Sequence, residues 1–142
     1  IARTIAQELA EVDVKVEVTP LELGALLARL GAGDFELATL QLPELTEPNV
    51  LRVFLHSTSI PPNGSNRGRV RDAELDTLLD EGDRESNEDA RRAIYAKVEE
   101  RLRDKLWIIP LWHEDQVAVT STRARDFVPS AEGRWLSLAG AR

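Results

Sequence analysis

The chain has no cysteine and no methionine among its 142 residues, and only two histidines, one tyrosine and three phenylalanines. Without cysteine there is no thiolate nucleophile, no disulfide and no cysteine-based zinc site. That absence is silent about compartment, since a cysteine-free domain folds equally well on either side of a membrane. No apolar run approaches the length of a membrane span, and no secretory pattern of basic, apolar and small residues opens the sequence. A start at Ile1 with no methionine anywhere leads us to expect an excised portion of a longer polypeptide. Positive charge is scarce as well: 18 Lys and Arg against 25 Asp and Glu give a net charge of −7. Nucleic acid and anionic membrane, which need clustered cations, are therefore not expected as partners.

Histidine scarcity restricts metal chemistry. His56 and His113 stand far apart, with no second histidine or carboxylate at ligand spacing, whereas a metal needs three or four converging ligands. Both read as surface or loop histidines. No nucleophile elbow surrounds any serine. Gly31-Ala32-Gly33 closes a helix instead of opening one, which is the wrong end of the dipole for phosphate. No cofactor and no catalytic residue is expected.

What is present is organised around residues 12–42. Val12, Val14, Val16 and Val18 alternate with Asp13, Lys15, Glu17 and Thr19, the period of two expected of a strand with one buried face. Thr19, Pro20 and Glu22 follow as an N-cap, a first-turn proline and a capping-box glutamate. Leu23, Leu26, Leu27 and Leu30 then line one helical face, and Gly31 and Gly33 end it. Phe35 to Leu42 reads as the next strand. The expected fold class is thus α/β, with a right-handed βαβ unit whose ligand crevice lies beyond the strand ends, after Leu42.

Elsewhere the pattern is helical. Ile5 and Leu9 mark the end of a helix, and a two-turn helix fits Asn49 to Leu55. His56 to Val70 is filled with Ser, Pro, Asn, Gly and Arg and reads as a long loop. Asp72 caps a helix that turns Leu75, Leu78 and Leu79 inward, with Gly82 near its end. Asn87 caps another, expected to bury Ala90, Ile94, Val98 and Leu102. Pro110 makes Trp107 to Trp112 an edge strand or an irregular extended segment.

The residues with chemistry to offer are few. Glu44 and Glu47 follow the second expected strand; paired carboxylates can do acid–base work in glycoside hydrolysis, hold a ligand ammonium, or simply be solvated. Arg67, Arg69 and Arg71 can meet an anion or form a solvated basic cluster. Trp107 reads as core, while Trp112 fits either core or the wall of an apolar pocket.

In order along the chain, several segments resemble one known family: Ile5-Ala6-Gln7-Glu8-Leu9, Val14-Lys15-Val16-Glu17-Val18, Gly33-Asp34-Phe35-Glu36-Leu37-Ala38 and Glu47-Pro48-Asn49-Val50-Leu51. So do Asn66-Arg67-Gly68-Arg69 leading to Asp72-Ala73-Glu74-Leu75-Asp76, then Arg91-Arg92-Ala93-Ile94-Tyr95, and Ile109-Pro110-Leu111-Trp112. Together they resemble the carboxyl-terminal part of the extracytoplasmic solute-binding proteins of ABC importers, in the peptide, dipeptide and nickel-binding family. The resemblance implies a fragment of a two-lobed periplasmic-binding-protein type II fold, with 1–105 in the second, ligand-binding lobe and 106–142 returning to the first. It also implies capture of a small peptide by lobe closure, delivery to an ABC permease and an extracytoplasmic location. Glu44 would pair with the peptide's ammonium, Glu47 or Asn49 would shape that turn, and the loop holding Asn66 and Arg69 would cover the cleft with Trp112 alongside. The isolated fragment is expected to bind poorly and to self-associate through apolar surface near Trp107 to Trp112. The chain departs from the family where a tryptophan often stands near Gln41, an aspartate at Glu44 and a tyrosine near Val70. Those departures support an alternative, a regulatory or interaction domain that keeps the fold without the ligand; a hydrolase using Glu44 and Glu47 is a third reading.

Overall fold

Helices supply the regular secondary structure of the described residues, which are 1–41, 47–112, 117–130 and 135–140 of a computed structural model. In chain order the α-helices are α1 (Ala2–Ala10), α2 (Leu23–Ala32), α3 (Val50–Leu55), α4 (Ala73–Arg84) and α5 (Glu88–Lys105). Short 3-10 turns occupy Ser57–Ser59, Thr122–Ala124 and Leu136–Gly140.

The expected α/β class is overturned: among the described residues there is no strand, and so no βαβ unit. The stretch after α1 makes a turn, with Asp13 at a positive φ of 62°, and residues 14–22 then carry no regular secondary structure. Residues 37–41 likewise form no strand. Alternation chooses which side chains would face a core, but a strand forms only when a neighbour's N–H and C=O groups meet its own. Two short parallel segments flanking one helix are below the size that holds a sheet together. With no sheet to cover them, Val12 and Leu37 remain 67% and 73% exposed.

α2 keeps its expected end but not its start. Gly33 at φ 79° places its own N–H on Leu30 O and that of Asp34 on Arg29 O, closing the helix as a Schellman motif. The start falls at Leu23 instead of Pro20, with Glu22 extended at the N-cap and making no side-chain cap bond.

The core lies between α3, α4 and α5: Leu55, Val70, Leu75, Leu79, Tyr95 and Val98 are buried, and Leu51, Phe54, Leu78, Leu102 and Trp107 pack against them. Asp72 caps α4 by accepting from Leu75 N–H at 2.8 Å, and Asn87 caps α5 by accepting from Ala90 N–H at 3.0 Å. A three-residue link joins the two helices. Arg101 near the end of α5 reaches Asp72 before α4, while Arg91 near its start reaches Gly82 O near the end of α4. The pair is therefore an antiparallel helical hairpin. On α5 Val98 is buried as expected and Leu102 packs on the core, Ala90, Ile94 and Leu102 are half-buried, and Tyr95, which the expected stripe omitted, is buried beside them. Gly82 leaves room for the Tyr95 ring, since a Cβ there would lie 2.9 Å from it. Leu106, in the left-handed region at φ 53°, ends α5, and residues 109–112 carry no regular secondary structure.

Candidate functional site

The loop from His56 to Val70 is built around Asn66, which is fully buried. Its Nδ2 donates to Leu55 O at 3.1 Å, His56 O at 3.0 Å and Val70 O at 2.9 Å, and its Oδ1 accepts from Val70 N–H at 2.9 Å. Four bonds to backbone hold the loop against α3 and join its two ends. The expected ligand residue Asn66 thus has its polar atoms engaged inside the fold.

His56 is buried too, at 5% exposure, where the sequence suggested a surface or loop histidine. The Asn66 bonds to the carbonyls of Leu55 and His56 draw it under the loop. Its Nδ1 accepts from Thr58 N–H at 3.1 Å and lies 2.7 Å from the Thr58 hydroxyl, which leaves the neutral ring's proton on Nε2. That Nε2 faces Asp80 at 3.4 Å and Asp76 at 3.9 Å. Asp76 is engaged by the N–H and hydroxyl of Ser57, and Asp80 accepts from Arg52 Nε at 3.0 Å. The Ser57 hydroxyl is thus committed to Asp76 and not to the imidazole.

Glu47, just before α3, is tied to the hairpin. Glu47 Oε2 accepts from Arg91 Nη1 at 2.9 Å, Arg91 Nε donates to Gly82 O at 3.2 Å, and its guanidinium carbon lies 5.5 Å from the centre of the buried Tyr95 ring. The Glu47 carboxylate raises the Arg91 pKa, while burial of Tyr95 raises that of its phenol against the opposing effect of Arg91. Nothing in the sequence marks this contact, which links residues 44 positions apart.

The expected ligand residues that fall in the described structure differ in their partners and exposure. Glu44 lies outside the described residues, as does His113. Glu47 is paired with Arg91; Asn49, exposed at the N-cap of α3, makes no side-chain cap bond. Arg69, at φ 54°, sends Nη2 3.0 Å to Gly31 O and so attaches the loop to the end of α2. Trp112 is 52% exposed beside exposed Ile109 and Leu111, whereas Trp107 packs on the core. An open hollow is lined by Glu81, Arg84, Glu85 and Ile94, none of them an expected ligand residue. Among the described residues no group of three metal-binding side chains converges, and no helix is long and apolar enough to cross a membrane.

No family model and no solved structure matches the chain. Among curated proteins it is similar to the probable di/tripeptide-binding protein 5 of Pseudomonas aeruginosa (strain UCBPP-PA14), with 23% identity over 134 residues. That alignment takes in 94% of this chain and 26% of the relative, so the chain spans about a quarter of the relative's length. The likeness is distant and partial, and it supports a relation to peptide-binding proteins of that kind.

Proposed function

We propose that this chain is part of the ligand-binding lobe of an ABC importer's solute receptor, extracytoplasmic and without enzymatic activity, which captures small peptides and delivers them to a membrane permease. The observation that carries the proposal is the alignment of 94% of the chain with a di/tripeptide-binding protein. A receptor of this kind works by population shift: ligand contacts made only in the closed form favour closure, and the permease reads the closed form. Within it, Glu44 pairs with the peptide ammonium through a charge-assisted hydrogen bond. The test is calorimetry on the receptor that carries this chain, with trialanine and N-acetyl-trialanine as probes. Glu44→Gln should weaken trialanine by about tenfold, as expected for one lost bond to a charged group, and leave the acetylated peptide little changed. Equal losses for both peptides would refute the Glu44 assignment, and no binding of trialanine to the unsubstituted receptor would refute the reading itself.

A regulatory or interaction domain is the second reading. It is favoured by the engagement of Asn66 with backbone and of Glu47 with Arg91, which leaves two of the expected ligand groups committed to the fold. A secretory or lipoprotein signal upstream would support the receptor, and a helix-turn-helix would support the regulator. The 142-residue chain alone should bind trialanine poorly and self-associate through Ile109, Leu111 and Trp112, which are exposed by half or more. A strictly monomeric elution would contradict the second expectation.

A further inference from the structure

We propose that Arg91 is the positioning residue for the acidic turn before α3: it holds Glu47 as a structural anchor, so that Glu47 sets where the turn sits and does not itself receive the ligand ammonium. This rests on the peptide-receptor reading and adds a division of labour between its two glutamates.

Two contacts and the seating of a ring fix the Arg91 guanidinium before it meets Glu47. Nε is held on Gly82 O at 3.2 Å, the plane lies near the Tyr95 ring, and that ring is seated where a side chain at residue 82 would otherwise be. The arginine is thus oriented by the helical hairpin, and its remaining Nη1 presents a donor to Glu47 at 2.9 Å. Glu47 opens the turn that starts α3: Val50 N–H donates to Glu47 O, Leu51 N–H to Pro48 O and Arg52 N–H to Asn49 O. Asn49 provides no side-chain cap for those amides. Leu51, Phe54 and the Arg52–Asp80 bond seat α3 on the core and on α4, and the Glu47–Arg91 pair adds the tie from the residue that opens the turn to α5. A carboxylate already neutralised by a guanidinium is a poor acceptor for a second cation, because a ligand ammonium would have to displace Arg91 or share its charge.

The experiment uses the receptor that carries this chain, with Glu44→Gln, Glu47→Gln, Arg91→Ala and Arg91→Lys variants, titrated with trialanine and N-acetyl-trialanine. Amide hydrogen exchange at residues 50–52 is read in parallel. Arg91→Ala and Glu47→Gln should each speed exchange at those amides about fivefold, the size expected for one partly exposed ion pair. Both should lower the preference for trialanine over its acetylated analogue by a similar factor. Arg91→Lys keeps the charge but cannot serve Gly82 O and Glu47 together, so it should fall between. Loss of the preference in Glu44→Gln together with an unchanged preference and unchanged exchange in Arg91→Ala would overturn the positioning role while leaving the receptor reading intact. A Glu47→Gln variant that loses all preference without faster exchange would make Glu47 the ammonium acceptor and overturn the division of labour. An unsubstituted receptor that binds neither peptide would remove both. Should Arg91→Ala fail to fold, Arg91→Lys and Glu47→Gln carry the same comparison.

Discussion

Arg101 grips the Asp72 carboxylate with both sides of its guanidinium fork, Nε on Oδ1 and Nη2 on Oδ2, each at 2.7 Å. The same Oδ1 caps α4 through Leu75 N–H, so a single carboxylate starts one helix and ties down the end of the next. The Arg101 bond is the main reason the Asp72 pKa falls below the ordinary carboxylate range. A depressed carboxylate contributes stability that is complete above its unfolded pKa and disappears as pH drops through the folded value. Relative to Asp72→Asn, the protein should therefore hold its advantage at neutral pH and lose it progressively below about pH 4. Urea unfolding of the two proteins across that range is the measurement, and a constant difference would show that the clasp adds no pH-dependent stability. Asp72→Ala also removes the cap and should cost about 1–2 kcal/mol from that alone. Arg101→Ala should lower the urea midpoint more than Arg92→Ala, because the Arg92–Glu88 pair is 75% and 87% exposed.

Asn66 offers a sharper chemical test. Its amide nitrogen serves three carbonyls, and a carboxylate of the same shape can serve none of them. Asn66→Asp should therefore destabilise at least as much as Asn66→Ala, with both losing about 3 kcal/mol or more because buried carbonyls are left unpaired. Chemical denaturation orders the two. An aspartate variant close to wild type would mean that the loop is not held by this amide.

Gly82 is required by close approach. A Cβ would fall 2.9 Å from Cε2 and Cζ of Tyr95, both in a ring that is itself buried. Gly82→Ala should cost about 1–3 kcal/mol by overpacking, despite the better helix propensity of alanine. Combined with Tyr95→Leu, the alanine should become nearly neutral, giving a coupling energy of about 1 kcal/mol or more in a double-mutant cycle. Additive effects would place the strain elsewhere.

The parts of this fold that were legible in the sequence are those fixed by short-range rules. Asp72 and Asn87 announce α4 and α5 because a cap bonds an amide three residues away, and Asn49 to Leu55 and Gly33 mark α3 and the end of α2 in the same local way. The valine alternation from Val12 to Val18 is as clear, yet it produces no strand, because pairing depends on a partner that the pattern cannot name. The burial of Asn66 and His56 escaped for a related reason: composition marks residues 56–70 as a loop, and only the carbonyls of Leu55, His56 and Val70 make its polar residues interior. Of the candidate site, Glu47 was legible as an acidic residue before α3, but its link to Arg91 crosses the whole central part of the chain. The burial of Tyr95 beside the expected stripe depends on a glycine in another helix, which single-helix periodicity does not register.

Tyr95 carries the last prediction. Its hydroxyl is buried and meets no hydrogen-bond partner among the described residues, while Arg91 lies over the ring. A buried unpaired hydroxyl lowers stability, so Tyr95→Phe should be neutral or slightly stabilising, which is unusual for a core tyrosine. Burial also raises the phenol's pKa more than Arg91 lowers it. A group whose pKa is raised on folding contributes stability that is full below its unfolded value and is lost as pH climbs through the folded one. Wild type should therefore weaken relative to Tyr95→Phe only above about pH 10, the ordinary tyrosine value. Because this chain has a single tyrosine, phenolate absorbance reports Tyr95 alone, and it should appear at higher pH in the folded protein than in urea. Ionisation at the same pH in both states would mean that the ring is accessible to water and that its hydroxyl is not buried against Gly82.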